Sequence, residues 1–362
     1  MTAIVSKEQV IRIVESVRRV PSGENCQPWT FSWDGKRLNI FHEPGRAKNR
    51  INYDDYVSYL SLGFLLENIQ IAASSEGLAP KFKWSPQKKE DSRHWAEVEF
   101  EEHQQPDELF ATLTTRFTDR RPFKKGNLRD EVFSLVAHDA ERFQNCKLYF
   151  RDNPTREFFA YACKAESFFW TNKPFHKDYT RWIRLTKRET LATRDGLPWR
   201  SLGVNYLESR LLLICKPYKV QALANKLGFM SLAKKVVREQ ISSSTAICCL
   251  TVPSSNVENL IEAGRAGMRA WLRLNQYNYG FHPMSLSALI PHFYVLGVAD
   301  RIFPGLSDLG REGESVLRAF FGYPEGEIPI WLFRTGITAG FPKQPLTLRL
   351  EIGEILNFEN GV

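Results

Sequence analysis

The stretch PSGENCQPW, Pro21 to Trp29, combines turn-forming and amide residues and ends on a large aromatic side chain. It follows SKEQVIRIVESVRR, whose valines and isoleucines recur at helical spacing. It leads into WTFSWDGKRLNIF, two short segments joined by Asp34-Gly35, which is a strong hairpin signal. The sequence therefore predicts a polar loop between a helix and a β-hairpin, close to the start of the chain.

The composition is that of a folded protein with a large core. Of 362 residues, 43% are hydrophobic and 25% are charged, which excludes a disordered chain. A net charge of +8 is compatible with nucleic acid, an acidic membrane surface or a phosphate-bearing small molecule as partner. The arginines form no long run, and no zinc-finger, RNP1 or helix-turn-helix pattern accompanies them. We therefore favour a small molecule and predict no nucleic-acid binding.

The cysteines and histidines suggest neither a redox motif nor a metal site. The six cysteines form no CxxC pair, as expected of reduced, buried thiols in a cytoplasmic protein. The seven histidines show no HExxH spacing. The first residues lack the apolar core of a signal peptide, and no segment reaches the roughly 18 apolar residues that cross a bilayer. We predict a cytoplasmic protein without stable membrane insertion.

Two long helices indicate an internal repeat. YVSYLSLGFLLENIQIAASSEG, Tyr56 to Gly77, and NVENLIEAGRAGMRAWLRLNQYNYG each have a small residue near the start and a glycine near the end. The pattern predicts two related halves, 1–110 and 111–362, packed as one compact unit. An insertion at about 168–239, rich in Trp, Lys and Arg, lies within the second half. It is interpreted as a lid, a packing element or a surface-association element.

Several motifs resemble one family. PSGENCQPW resembles the PSxxNxQPW signature of the FMN-dependent nitroreductase-like superfamily, and RFTDR, Arg116 to Arg120, resembles its Arg-x-Ser/Thr-x-Arg signature. WLFRTG resembles the late strand that brings a basic residue to the phosphate, and HPMS, His282 to Ser285, resembles a loop facing the flavin N5. The resemblance implies an α+β, nitroreductase-like fold with mixed or antiparallel sheets flanked by helices.

The order of the motifs differs from that of ordinary nitroreductases. In those proteins the arginine motif precedes PSxxNxQPW within one domain, and two subunits share two flavin sites. Here the first half has only the loop, because Arg18-Arg19 are a poor substitute for the arginine motif, and the second half has only the arginines. This arrangement resembles the Acg-type single-chain branch. It implies an intramolecular pseudo-dimer of two pseudo-symmetric halves with one FMN pocket between them.

The resemblance also implies the residues that bind the cofactor. They are Ser22, Asn25, Gln27, Arg116, Thr118, Arg120, Arg121, Met284, Ser285, Arg334 and Gly336. Guanidinium groups suit the FMN phosphate, and short polar side chains suit the ribityl hydroxyls or the polar edge of the flavin. Structural alternatives stay open: the RFTDR arginines as a solvated helix face, Arg334 as a cross-strand ion pair, and Ser22 and Asn25 as turn formers.

The implied function is an FMN-dependent oxidoreductase that reduces or oxidises a small organic substrate. Its chemistry would take place at the flavin N5, so no catalytic side chain is predicted. NADH or NADPH is the expected transient reductant, and the chain is expected to be a monomer or a homodimer. The main alternative is a protein that binds or sequesters FMN with little turnover. A peptide-modifying dehydrogenase is a third hypothesis.

Overall fold

The computed structural model describes residues 5–84, 93–103, 105–127, 129–343 and 346–359. The helices are α1 Lys7–Val17, α2 Tyr56–Ser75, α3 Phe110–Thr115, α4 Asp130–Glu141, α5 Arg156–Ser167, α6 Lys173–Thr180, α7 Lys187–Thr193, α8 Tyr206–Cys215, α9 Tyr218–Lys226, α10 Phe229–Ser242, α11 Val257–Gln276, α12 Ser285–Val295, α13 Ala299–Ile302, α14 Leu306–Phe321 and α15 Ile352–Ile355. The strands are β1 Trp29–Trp33, β2 Leu38–His42, β3 Leu78–Trp84, β4 His94–Glu102, β5 Lys147–Arg151, β6 Ile183–Arg184, β7 Leu197–Pro198, β8 Ala246–Val252, β9 Tyr279–Pro283, β10 Ile328–Ile337 and β11 Leu356–Phe358.

The predicted N-terminal elements are present. The Ser6 hydroxyl accepts a hydrogen bond from the Gln9 backbone N–H, and the Gln9 side chain returns one, so a capping box starts α1. Strands β1 and β2 form the predicted antiparallel hairpin, with Gly35 at φ 93° in the turn. Trp29 is buried at the start of β1 and anchors the end of the PSGENCQPW loop in the core.

Two sheets flanked by helices make up the mixed α+β fold. The first has the strand order β11-β1-β2-β4-β3, and the second has the order β5-β8-β10-β9. All pairings in the second sheet are antiparallel, whereas β11 runs parallel to β1 in the first. Strand β11 comes from the end of the chain, within the range 111–362 assigned from the sequence to the second half. The final segment therefore returns to the first sheet.

The 20-residue helices α2 and α11 pack against each other between the sheets. Helix α2 is buried almost all round, which explains why its sequence is apolar with little periodicity. A buried network of charges also joins the two helices. The Arg269 guanidinium donates to Glu67 and Asp107 at 2.8 Å each, and Arg273 donates to Asp139 at 2.7 Å.

The insertion is mostly helical, comprising α6 to α10 with the short β6–β7 pair. Within the described ranges, no helix is long and apolar enough to cross a membrane. In the same part of the chain, His, Cys, Asp and Glu side chains form no group of three or more able to hold a metal ion.

Candidate functional site

A cavity of about 800 Å³ lies where helix α2, the second sheet, the insertion and the C-terminal segment meet. The PSGENCQPW loop lines it with Ser22 and Asn25, and the RFTDR segment lines it with Arg116, Thr118 and Arg120. The two motifs, 91 positions apart from Asn25 to Arg116, therefore share one cleft. Aromatic walls come from Phe64, Phe117, Phe169, Phe175, Tyr179, Trp271, Trp331 and Phe341.

The PSGENCQPW loop has an unusual backbone. Glu24, Asn25 and Gln27 have φ values of 45°, 59° and 50°, in the left-handed region that non-glycine residues seldom adopt. The Ser22 hydroxyl accepts a hydrogen bond from the Gln27 N–H at 2.9 Å and closes the turn. Strain of this kind persists only where surrounding contacts fix it, and it is common in binding sites.

Those contacts come from distant parts of the chain. The Asn25 amide donates to the carbonyl oxygens of Gly196 and Leu348, each at 3.1 Å. The Gln27 side chain donates to the Arg194 carbonyl and accepts from the Leu350 N–H at 2.9 Å. The loop is thus bound to the insertion and to the C-terminal segment at once. The Asn25 Oδ1 atom stays buried without a partner among the described residues, beside the cavity.

The RFTDR segment is not a helix, so the solvated-face alternative is wrong. Helix α3 ends at Thr115, and Arg116 follows with φ −53° and ψ 134°. The Arg116 side chain is 5% exposed, and its guanidinium carbon lies 4.3 Å from the ring centre of Trp271. This stacking fixes the plane of the guanidinium while its edge remains available for hydrogen bonds.

Three arginines converge at this end of the cavity. Arg116 Nη2 and Arg349 Nη2 both donate to the Arg19 backbone carbonyl, at 2.8 and 3.3 Å. All three residues line the cavity, and their Nε atoms are buried without an acceptor within the described residues. In the same part of the chain, no carboxylate forms an ion pair with any of them. Neighbouring Arg18, by contrast, pairs with Glu15 and Glu351.

The electrostatic consequence is a concentrated, unbalanced positive charge. Burial, followed by the charges of Arg349 and Arg19, holds the pKa of Arg116 well below its usual value. Burial, followed by Arg19 and Arg18, lowers the pKa of Arg349 to about 9. Since arginine stays protonated in proteins, the lowered pKa values express repulsion and desolvation. A bound polyanion would relieve both.

Another part of the cavity is acidic and aromatic. Glu166 accepts hydrogen bonds from the Ser287 N–H and hydroxyl, each at 2.8 Å, and burial raises its pKa to about 7. Burial also raises the pKa of Glu24 to about 7. The Tyr179 ring lies 4.3 Å from that of Phe169. Carboxyl groups with such pKa values can hold or release a proton near neutral pH.

Arg334 acts from behind the cavity wall. It is fully buried, and its Nε donates to His282 Nδ1 at 2.9 Å, while its other nitrogens donate to the carbonyls of Gln240 and Arg121. Because a guanidinium only donates, His282 Nδ1 must accept, and the imidazole proton is therefore on Nε2. His282 lines the cavity, and burial followed by Arg334 keeps its pKa well below the usual value.

The structure thus brings six of the predicted site residues to the cavity: Ser22, Asn25, Arg116, Thr118, Arg120 and Ser285. The other five, Gln27, Arg121, Met284, Arg334 and Gly336, do not line it. Arg121 is drawn away because it pairs with the buried Asp119 at 2.7 Å. Met284 is a core residue, and Gly336 packs so closely on Phe123 that a Cβ atom would lie 2.8 Å from that ring.

Sequence analysis set Arg18-Arg19 aside as a poor substitute for the arginine motif, so Arg19 was not assigned to the site, and Arg349 was missed altogether. Arg19 stands two residues before the loop, and this position was the signal that could have kept it among the site candidates. Arg349 carries no local signal, because it reaches the site through the return of the C-terminal segment to the first sheet. Glu166 was missed for the same reason, since only the packing of α5 against α12 places it beside the cavity.

No family model and no curated protein matches the chain. Among solved structures, a putative nitroreductase from Anabaena variabilis is 11% identical, with 91% of this chain and 88% of that chain covered and a TM-score of 0.38. The FMN and NADPH-dependent nitroreductase NfnB from Sphigopyxis sp. strain HMH is also 11% identical, with 70% and 100% covered and a TM-score of 0.37. A nitroreductase with bound FMN from Desulfitobacterium hafniense is 11% identical, with 66% and 94% covered and a TM-score of 0.35. These likenesses are too distant to carry a functional argument, which has to rest on the cavity itself.

Proposed function

We propose that the chain is an FMN-binding oxidoreductase of the nitroreductase-like class, acting on a small organic substrate. The observation that carries the proposal is the group of Arg19, Arg116 and Arg349, which face a large cavity without a carboxylate partner in the described residues. A phosphate dianion would accept charge-assisted hydrogen bonds from these groups. When bound, FMN would supply the electron and hydride transfer for which the chain has no side chains of its own.

The remaining lining fits the rest of the cofactor. The unpartnered Asn25 Oδ1 and the hydroxyls of Ser22 and Thr118 match ribityl hydroxyl groups. The aromatic walls offer apolar surface to a flat ring system, and His282 Nε2–H is a donor for a carbonyl or ring nitrogen. The cavity falls within the roughly 300–1,000 Å³ range of ligand sites. We assign the arginine end to the phosphate and the end near Glu166 to the substrate.

The pseudo-dimer arrangement belongs to this proposal. Two 20-residue helices cross at equivalent glycines, each flanking its own sheet, and one cavity draws on both halves. In this view the first half supplies the loop, the second half supplies Arg116, and a single FMN binds per chain. We further propose that NADH or NADPH reduces the flavin transiently and that the protein acts in the cytoplasm.

The proposal is tested by comparing FMN with riboflavin, which lacks the phosphate. Apo-protein is titrated with each compound, and quenching of flavin fluorescence is measured. Two hydrogen bonds to a charged group are worth about 3–6 kcal/mol, so we expect FMN to bind at least about a hundredfold more tightly. Equal affinities for the two compounds, or no binding of either, would refute the assignment.

Sequestration of FMN with little turnover is the second candidate. It is favoured by the insertion, which lines the cavity with Phe169, Phe175, Tyr179, Leu197 and Ser201 and so covers one side of it. Anaerobic addition of NADH or NADPH to the reconstituted protein separates the two candidates. Rapid loss of the visible flavin absorbance supports an oxidoreductase, whereas flavin that stays oxidised with both reductants supports sequestration.

A further inference from the structure

The three helices α8, α9 and α10 of the insertion each present several apolar side chains to solvent. Leu207, Leu211 and Ile214 lie at spacings of four and three residues on α8, so they form one stripe, and Leu207 is 77% exposed. On the opposite face of α8, Ser209 is fully buried. This is the reverse of the usual arrangement, in which the apolar face of a helix points to the core.

Helix α9 also exposes an apolar stripe and buries a polar residue. Its exposed stripe consists of Val220, Leu223 and Leu227, the last of which is 81% exposed. The buried face is polar: Gln221 donates to Asn225 Oδ1 at 2.7 Å, and the Asn225 amide donates to the Trp170 carbonyl at 2.8 Å. The Gln221–Asn225 bond lies within α9, whereas the Asn225–Trp170 bond and the Tyr218 hydroxyl, which donates to the Thr171 carbonyl at 2.7 Å, attach the helix without the exposed leucines.

Helix α10 adds Leu232 and Val236, also exposed and four residues apart. Because α8 packs beside α9 and α9 beside α10, the three stripes belong to one region of the surface, named here the insertion surface. Ten of the sixteen large hydrophobic residues that are exposed in the described chain lie within 206–236. Concentrations of exposed apolar side chains on a folded protein mark interaction sites.

The charge of the insertion surface indicates which kind of partner it binds. Residues 206–240 contain seven Lys and Arg against two Glu. Lys219, Lys226 and Lys234 have no ion-pairing carboxylate within the described residues, and each is exposed. A symmetric contact with a second copy would bring these lysines together with only Glu208 and Glu239 as acidic counterparts. Leucines bordered by lysines instead suit the boundary between anionic headgroups and acyl chains.

We propose that the insertion surface docks reversibly on an anionic phospholipid bilayer. The leucines of α8 to α10 enter the headgroup region, and the surrounding lysines contact lipid phosphates. The attachment is peripheral, and it is independent of the flavin because none of the exposed leucines lines the cavity.

Vesicle flotation of the full chain tests the proposal, with phosphatidylglycerol vesicles compared with phosphatidylcholine vesicles at low and high salt. We expect binding to phosphatidylglycerol only, weakened by salt. The variants Leu223→Ser/Leu227→Ser and Lys219→Glu/Lys226→Glu should each lower the binding constant at least about tenfold. The matched controls Val295→Ser/Leu296→Ser and Lys36→Glu/Lys48→Glu change exposed residues elsewhere and should bind like the wild type.

Equal binding to both kinds of vesicle, no binding, or undiminished binding of both insertion variants would overturn the proposal. Analytical ultracentrifugation provides a further test that can overturn the proposal. A wild-type dimer that Leu223→Ser/Leu227→Ser converts to a monomer would show that a second copy covers the insertion surface. Unfolding midpoints equal to that of the wild type would establish that the variants are folded.

Discussion

Gly63 of α2 and Gly264 of α11 lie in contact where the two helices cross. A Cβ atom on Gly63 would lie 2.2 Å from the Ile261 carbonyl oxygen and 2.8 Å from the Gly264 Cα. A Cβ atom on Gly264 would meet the Leu60 carbonyl oxygen at 2.3 Å. Each glycine would thus bring its Cβ atom against a carbonyl oxygen of the other helix, so the close contact is reciprocal.

We predict that Gly63→Ala destabilises the protein by about 3 kcal/mol, because backbone atoms at this crossing cannot move aside as a flexible side chain can. Urea unfolding measures the loss. Gly45→Ala is the matched control, since a Cβ atom there meets nothing within 4 Å, and its stability should change by less than about 0.5 kcal/mol. A stable Gly63→Ala protein would mean that the helices are not this close.

Arg19→Ala should weaken FMN binding, whereas Arg18→Ala should not. Arg19 lines the cavity without an ionic partner in the described residues, while Arg18 is neutralised by Glu15 and Glu351. Loss of one bond to the phosphate should cost about 1.5–3 kcal/mol, and riboflavin binding should be unaffected. Fluorescence titration of both variants with both flavins measures this. The phosphate assignment would be wrong if Arg18→Ala lowered the affinity as much as Arg19→Ala.

Arg334→Lys should lower stability and FMN affinity together, although Arg334 does not line the cavity. The guanidinium fork holds His282 and two carbonyls, and its carbon lies 4.2 Å from the ring centre of Phe123, whereas an ammonium cannot reproduce this geometry. We expect a loss of about 2–4 kcal/mol in the free energy of unfolding.

The matched control for Arg334→Lys is Arg37→Lys. Arg37 pairs with Glu99 on the partly exposed face of the β-hairpin, and its replacement should change stability by less than about 1 kcal/mol. Chemical unfolding and FMN titration are measured for both variants. An Arg334→Lys protein with unchanged FMN affinity would show that the RFTDR loop keeps its position without this side chain.

The carboxyl group of Glu166 makes stability depend on pH. Its pKa is about 7 in the folded protein, against a reference of 4.5, so the folded state retains a proton that the unfolded chain releases. The contribution of Glu166 to the stability of the fold is fully present below pH 4.5 and is lost as the pH rises through about 7. At pH 8, Glu166→Gln should therefore stabilise the apo-protein by about 1–3 kcal/mol relative to the wild type.

Thermal unfolding of Glu166→Gln and of the wild type is measured at pH 5 and at pH 8. The stability difference between the two proteins should be larger at pH 8 than at pH 5. Glu157→Gln, at an exposed position of the same helix α5, is the control and should show no such change. If this stability difference were equal at the two pH values, Glu166 would be ionised in the folded protein at pH 5.

The sequence alone determined the local structure. The capping box at Ser6, the Asp34-Gly35 hairpin and the glycine-flanked helices follow from short-range rules of capping, turn geometry and periodicity, so they could be predicted. The PSGENCQPW and RFTDR motifs also identified two of the segments that line the cavity. The resemblance nevertheless placed Arg121 in the site wrongly, because Arg121 pairs with the buried Asp119 and does not line the cavity.

Only the tertiary structure decided which charges meet. Arg19, Arg116 and Arg349 come from three distant segments, and they converge because β11 returns to the first sheet while α2 and α11 cross at paired glycines. A buried charge acquires its chemical role from the groups packed around it, and those groups have no fixed relation to it along the chain. For this reason the motifs could be found in the sequence, whereas the grouping of Arg116 with Arg19 and Arg349 could not.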